Sequence, residues 1–124
     1  MTPLACGDSA GTLTTADVAD FESYSCTEYG QGGERVFSFR CTAAGEHYVF
    51  ITPTCDLDLV LLDASCDPSA GCLEASVAGG MSNEQVFFDC TAGEVFHVVV
   101  EGFDVGSAEC PSAEYRMVVD GPGC

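Results

Sequence analysis

The chain has 124 residues, 47% hydrophobic and 19% charged, with a net charge of −17. This composition excludes a disordered tail, and the length is that of one domain, residues 1 to 124. Twenty acidic residues stand against three arginines, so repulsion excludes binding to nucleic acid or to an anionic membrane. The apolar runs are also too short for insertion into a membrane.

Nine cysteines occur without the close C-x-x-C pairs that zinc sites usually need, which favours disulfides. Disulfides persist in oxidising compartments, so we expect a secreted or cell-surface protein. No signal peptide is visible in MTPLAC, which lacks a basic and an apolar region, and we expect the natural chain to begin upstream. The odd count leaves one cysteine unpaired within the chain.

Residues 1 to 33 are rich in Gly, Thr, Ser and Asp and predict an N-terminal strand or extended arm and an irregular segment. Cys6 and Cys26 are candidates for a bridge that staples this segment. GDSAG at 7 to 11 fits the G-x-S-x-G pattern of serine hydrolases, but Ser9 lacks the strand and helix that a nucleophile elbow requires. We therefore predict a turn here, and a protein that is not an enzyme.

Residues 34 to 51, ERVFSFRCTAAGEHYVFI, and 84 to 100, EQVFFDCTAGEVFHVVV, are two copies of one pattern. In each, strand-forming residues lead to a turn of Thr, Ala and Gly and then away from it, which predicts a β-hairpin. Cys41 and Cys90 lie at matching turns, so they are plausible disulfide partners if the hairpins face each other. Four phenylalanines are then expected in the core: Phe37, Phe39, Phe87 and Phe96.

Seven strands are predicted in all, separated by Gly and Pro clusters. They cover residues 35–41, 46–52, 57–63, 72–77, 84–90, 94–101 and 113–120. Short strands at this spacing, without a helical period, predict an all-β fold. We expect an antiparallel β-sandwich or jelly roll stapled by several disulfides, with its core over residues 34 to 121.

Two loop features carry further candidates. Cys66 and Cys72 flank the turn DPSAG, so we expect them to be bonded. Asp56 and Asp58 are two apart at the start of a strand and project to the same face, which makes them a candidate calcium site. The alternative is that Asp58 caps a loop or forms a hydrogen bond to it while Asp56 is solvated. No other cofactor is expected.

Four single side chains complete the set of candidates. His47 and His97 each lie within a strand, and we interpret them as packing residues in preference to ligands or bases. Tyr29 lies in a Gly-rich stretch and Phe103 in the loop EGFDVG, and both are candidate binding aromatics. Only a cluster of exposed aromatics would indicate recognition.

Four motifs follow each other in a recognisable order: ERVFSF, DLDLVLLD with the Cys66 to Cys72 loop after it, QVFFDCTAGEVFHVVVEG and AEYRMVVDG. This order resembles the bacterial pre-peptidase C-terminal domain, in the cysteine-rich form of multidomain secreted proteins. The resemblance implies a non-catalytic β-sandwich that accompanies secreted enzymes or surface proteins. Some members bind collagen, polysaccharide or calcium.

We therefore expect a non-catalytic accessory or adhesion module. Its partner would be an extracellular polymer, either polysaccharide or protein, or a neighbouring domain of a larger secreted protein. The alternative is a self-assembling subunit of an extracellular filament or surface layer, joined through an edge strand or the unpaired cysteine.

Overall fold

Strands dominate this computed structural model, which describes residues 1–17, 19–21, 23–28, 32–102 and 105–124. The described residues contain β1 (Thr2–Pro3), β2 (Gly7–Leu13), β3 (Gly33–Arg40), β4 (Gly45–Pro53), β5 (Leu57–Leu62), β6 (Cys72–Ser76), β7 (Glu84–Cys90), β8 (Val95–Gly102) and β9 (Ala113–Asp120). In this part of the chain, no helix has the length and hydropathy needed to cross a membrane.

The strands form two sheets. One has five strands in the order β1-β3-β8-β5-β6, and the other has four in the order β2-β9-β4-β7. Neighbouring strands pair antiparallel, except that β1 is parallel to β3. The predicted all-β antiparallel sandwich is therefore confirmed.

The two sequence repeats are arches and not hairpins. β3 pairs with β8 and β4 pairs with β7, so the two strands of each repeat lie in different sheets. The hairpin prediction is wrong because an arch and a hairpin share the same local signal, two strands with a short turn. Here the two turns bond to each other: Cys41 N donates to Glu94 O at 2.9 Å, and Gly93 N donates to Cys41 O at 2.7 Å.

The core between the sheets contains Phe88 where the sequence suggested Phe87. The Phe88 ring lies 4.7 Å from Phe96 and 6.0 Å from Phe39, centroid to centroid. Phe37 is partly buried against the same core. The prediction for Phe87 is wrong, because the alternation of β7 turns its even-numbered residues inward and leaves Phe87 46% exposed.

A second apolar cluster covers the outside of the five-stranded sheet. Val60, Leu62 and Val99 contact Tyr24, with Phe21 packed against them. We call residues 14–17, 19–21 and 23–28 the strap, since these described residues between β2 and β3 include Phe21 and Tyr24, which lie over that face. The strap explains why β5 and β8 are hydrophobic at successive positions, because both of their faces are buried.

Strand β2 corrects the prediction of a turn at GDSAG. Gly7 to Leu13 pairs with β9 along its length. The residues of GDSAG have low strand propensity, so partner β9, far away in sequence, sets their conformation. Gly11 is required by close approach, since a Cβ there would lie 2.5 Å from the Tyr115 ring.

Four disulfides staple the sandwich: Cys6–Cys124, Cys26–Cys72, Cys41–Cys90 and Cys55–Cys110. The predicted Cys66–Cys72 bond is wrong, because Cys72 bonds the strap and leaves Cys66 as a free thiol. The predicted Cys6–Cys26 bond is also wrong. Cys6 precedes β2, which pairs with β9, and this pairing carries Cys6 to the C-terminal Cys124.

Candidate functional site

The solvent side of the four-stranded sheet carries a group of aromatic side chains. β4 lies between β7 and β9, so Tyr48 is opposite Phe87, and Phe50 is opposite Val118. The rings of Tyr48 and Phe87 are 6.1 Å apart between centroids and tilted by 53°. We call Tyr48, Phe50, Phe87 and Val118 the outer aromatic face. It presents three rings on one side of the four-stranded sheet.

Exposed acidic side chains border the outer aromatic face: Asp8, Glu46, Asp89 and Asp120. The Tyr48 hydroxyl donates to Asp120 Oδ2 at 3.4 Å, so one acid also orients a ring of the face. Arg116 lies on the same side of the sheet, 3.9 Å from Asp8. The centre of the surface is apolar and its border is anionic, so it opposes a ligand of negative charge.

The same surface continues into an open cavity of about 540 Å³. The cavity is lined by Ala10, Thr12, Thr52, Glu114, Tyr115 and Arg116, among others. Thr52 and Arg116 are directly opposite on β4 and β9, on the side of Phe50 away from Tyr48. A long ligand that crosses the rings would therefore reach hydroxyl and charged groups at this end.

The predicted aromatic binding residues Tyr29 and Phe103 lie outside the described residues. The aromatic group above was missed, since it depends on how β4, β7 and β9 pair. A signal was present in the sequence nevertheless. If Cys90 faces the core, the alternation of a strand places Phe88 inside and Phe87 outside.

The predicted calcium residues Asp56 and Asp58 occupy different environments. Asp56 is half-buried, whereas Asp58 is 4% exposed and lies within β5. Burial raises the pKa of Asp58 to about 7, with smaller contributions from Asp56 and Glu84. Calcium binding at Asp56 and Asp58 stays a prediction.

Within the described residues, one group of three potential metal ligands lies close together. It consists of Cys41, His47 and Cys90, whose candidate ligand atoms are within 4.8 Å of each other. Both sulfurs are already bonded to each other, so they are not free to bind a metal. His47 packs in this group, with its ring stacked on Phe88 and its Nε2 2.8 Å from the Pro122 carbonyl oxygen. The arrangement is that of a core histidine.

The remaining catalytic candidates are also structural. His97 is buried, and its Nδ1 donates to the Asp63 carbonyl oxygen at 2.8 Å, which ties β8 to the end of β5. Ser9 lies within β2, opposite Met117, and not at a turn between a strand and a helix. The geometry of a nucleophile elbow is therefore not present at GDSAG.

Three carboxylates form a row across neighbouring strands beneath the strap. Glu34 on β3 is opposite Glu101 on β8, and Glu101 is opposite Asp58 on β5. Their exposed fractions are 7%, 0% and 4%. We call these three residues the acid row. Sequence reasoning missed it, because the three strands that bring it together are not consecutive.

The strap supplies most of the hydrogen bonds to the acid row, and the backbone N–H of Gly32 donates to Glu101 as well. The Tyr24 hydroxyl donates to Glu101 Oε2 at 2.6 Å. The backbone N–H groups of Asp20 and Phe21 donate to Glu34 Oε1 at 2.7 and 2.9 Å. Burial raises the pKa of Glu101 to about 8, with the charge of Glu34 adding to the effect, and burial also raises the pKa of Glu34.

The free thiol of Cys66 lies beside the strap. It is half-buried and packs against the second apolar cluster. Burial raises the pKa of the thiol, and the charge of Asp63 raises it further. The thiolate, which is the reactive form, is therefore disfavoured.

Comparison with protein-family models and with curated proteins finds no match to this sequence. Solved structures do share its fold. The pre-peptidase C-terminal domain of a Bacillus anthracis collagenase superposes with a TM-score of 0.61 at 14% identity, covering 96% of this chain and 93% of that one.

Two other solved structures are similar over nearly their whole length. CorA, a surface-associated copper-binding protein of Methylomicrobium album BG8, has a TM-score of 0.55 at 8% identity, covering 98% of this chain and 97% of that one. PliG of Aeromonas hydrophila, a periplasmic inhibitor of g-type lysozyme, has a TM-score of 0.54 at 8% identity, covering 96% and 95%. This chain thus has the β-sandwich fold of the pre-peptidase C-terminal domain, as the motif order implied.

Proposed function

We propose that this chain is a non-catalytic, secreted or cell-surface binding module whose outer aromatic face binds a polysaccharide without negative charge. The observation that carries the proposal is Phe87, left 46% exposed beside Tyr48 on a sandwich that buries its other strand phenylalanines fully or in part. Single exposed aromatics are ordinary, whereas a contiguous group marks a recognition surface.

The chemistry of the surface fits a sugar chain. The C–H faces of a pyranose ring are apolar and can lie on the rings of Tyr48, Phe50 and Phe87. Its hydroxyl groups can donate to the bordering carboxylates and reach the threonines of the neighbouring cavity. A few polar groups around an apolar centre are the usual composition of a binding site.

The negative charge of this protein restricts which polysaccharides can bind to the outer aromatic face. A net charge of −17 and an anionic border oppose sulfated or uronic-acid polysaccharides and favour uncharged or cationic ones. The four disulfides support an extracellular location. The proteins that share the fold, which include a domain of a collagenase and a surface-associated protein, are in keeping with this proposal.

The proposal is tested by co-sedimentation with insoluble cellulose and with chitosan, with a sulfated polysaccharide and fibrillar collagen as comparisons. We expect Phe87→Ala and Tyr48→Ala to weaken sedimentation with cellulose or chitosan by tenfold or more. The matched control is Leu73→Ala, because Leu73 is 50% exposed but lies on β6 of the other sheet. Equal sedimentation of all variants, or binding to collagen alone, would contradict the proposal.

A second candidate function is a self-assembling subunit joined through the free, half-exposed thiol of Cys66. Against it, the raised pKa of the Cys66 thiol disfavours the thiolate that forms mixed disulfides. Solution mass at low and high concentration, with and without reductant, separates the two. A monomer throughout favours the module, and a reductant-sensitive polymer that Cys66→Ser abolishes favours the subunit.

A further inference from the structure

Two buried carboxylate oxygens of the acid row have no hydrogen-bond partner among the described residues: Oε2 of Glu34 and Oε1 of Glu101. They belong to directly opposite residues on β3 and β8. The second oxygen of each side chain is engaged by the strap, through the N–H groups of Asp20 and Phe21 and the hydroxyl of Tyr24. An unpartnered buried acceptor is costly, so a pair of them on facing side chains calls for a shared donor.

The chain supplies no cation for this position. It contains no lysine, and its three arginines are engaged elsewhere. Arg35 bonds Asp17, Arg40 bonds the Gly93 carbonyl oxygen, and Arg116 lies on the other sheet. Two ionised carboxylates side by side in a dry site would repel each other, whereas one proton between them removes one charge and provides a donor.

We propose that Glu34 and Glu101 share one proton between these two oxygens, and that this proton holds the strap closed. One carboxyl O–H donates to the other carboxylate, and the pair titrates as a unit. Loss of the proton to solvent leaves two facing carboxylates. It thereby weakens the site that anchors Asp20, Phe21 and Tyr24.

The charged groups around the pair make the proton harder to lose. Asp58 lies on the other side of Glu101, with Asp56 and Glu84 beyond it, and Asp20 lies beside Glu34. The Tyr24 hydroxyl also faces Glu101, and the Asp17–Arg35 pair lines the same surface depression as Glu34. Acids outnumber bases here, so their charges favour the protonated pair.

Opening of the strap is therefore linked to pH. An open strap exposes both carboxyls to water, where they have ordinary pKa values, and so opening releases the shared proton between about pH 5 and pH 8. Rising pH favours the open state, and the opening constant should increase about tenfold per pH unit across this range. The Cys26–Cys72 bond keeps the open strap attached to β6, so the motion is local.

The experiment is hydrogen exchange of the Asp20 and Phe21 amides, corrected for intrinsic exchange, from pH 5 to pH 8. We expect the tenfold rise per pH unit in the wild type and in the control Glu109→Gln, an exposed acid outside the site. In Glu101→Gln the amide donates to Glu34 at every pH, so the part of the slope that comes from the shared proton should be lost and only the contribution of Asp58 should remain. A flat wild-type profile, or an unchanged slope in Glu101→Gln, would overturn the proposal.

A second measurement covers the case in which Glu101→Gln does not fold. Carbon NMR titration of the wild-type carboxyls should show Glu34 and Glu101 responding together to one step, the loss of the shared proton, well above the range of an ordinary glutamate. Absence of such a common step would overturn the proposal. The proposal would also be overturned if a chelator alone abolished protection of the Asp20 and Phe21 amides. A metal ion, and not the proton, would then hold the strap in place.

Discussion

The bond between Cys41 and Cys90 joins the two sheets at the point where both repeats turn. Cys41 follows β3 of the five-stranded sheet, and Cys90 ends β7 of the four-stranded sheet. Their Cα atoms are 6.4 Å apart and 49 residues separate them in sequence. The two arches are therefore locked to each other covalently, in addition to the backbone hydrogen bonds between their turns.

Removal of the Cys41–Cys90 bond should lower the stability of the fold substantially. We expect Cys41→Ala with Cys90→Ala to lower the free energy of unfolding by about 2 to 5 kcal/mol, because the bond restricts the unfolded chain and both residues lie in the core. Urea unfolding measures the loss. Cys66→Ser is the control, since Cys66 makes no bond, and an equal midpoint for the double variant and the wild type would contradict the account.

Neighbouring phenylalanines of β7 should differ sharply in their contribution to stability. Phe88→Ala should cost about 3 to 5 kcal/mol, since its ring packs between Phe39 and Phe96. Phe87→Ala should cost less than about 1 kcal/mol, because the side chain is largely in solvent. Thermal melting of both variants checks this. The reverse order would show that β7 has the other face inward.

Stability should fall as the pH rises through the range in which Asp58 ionises. Its pKa is 3.8 in the unfolded reference and about 7 in the fold, so folding takes up a proton between these values. The stabilisation is complete below about pH 4 and is lost toward pH 7, by up to about 1.4 kcal/mol per pH unit for one proton. Asp58→Asn should flatten the profile of unfolding free energy against pH. Parallel profiles would argue against a raised pKa.

Specific binding of calcium at Asp56 and Asp58 can be distinguished from general screening of the negative charge by salt. A specific site would stabilise the fold by about 2.7 kcal/mol at a hundredfold excess over Kd. Melting temperatures in calcium, in chelator and in sodium chloride of matched ionic strength make the comparison, with Asp56→Asn as the variant. If sodium chloride reproduces the whole shift, Asp56 and Asp58 bind no calcium.

The sequence was sufficient to place most strands, because alternating Val, Phe and Tyr between Gly and Pro clusters is a local signal. Which strands pair with each other could not be predicted from a local signal in the same way. Whether the strands of a repeat pair with each other or with the other repeat depends on contacts far apart in sequence. The extent of β2 over GDSAG could not be predicted for a related reason, since Gly, Asp and Ser carry little strand preference of their own.

The outer aromatic face was within reach of sequence reasoning. An inward Cys90 fixes the alternation of β7 and turns Phe87 outward, whereas hydrophobicity alone predicts that Phe87 is in the core. The acid row could not be predicted from the sequence. Glu34, Asp58 and Glu101 meet only after three non-consecutive strands align in register, and the strap that buries them is recognisable only in the folded chain.

If the outer aromatic face is the binding surface, titration with a soluble uncharged or cationic oligosaccharide should perturb backbone amide chemical shifts there. We expect perturbations concentrated at residues 46–52, 85–89 and 116–120, and their loss in Phe87→Ala. Perturbations at β6 and the strap, or none at saturating sugar, would contradict this prediction.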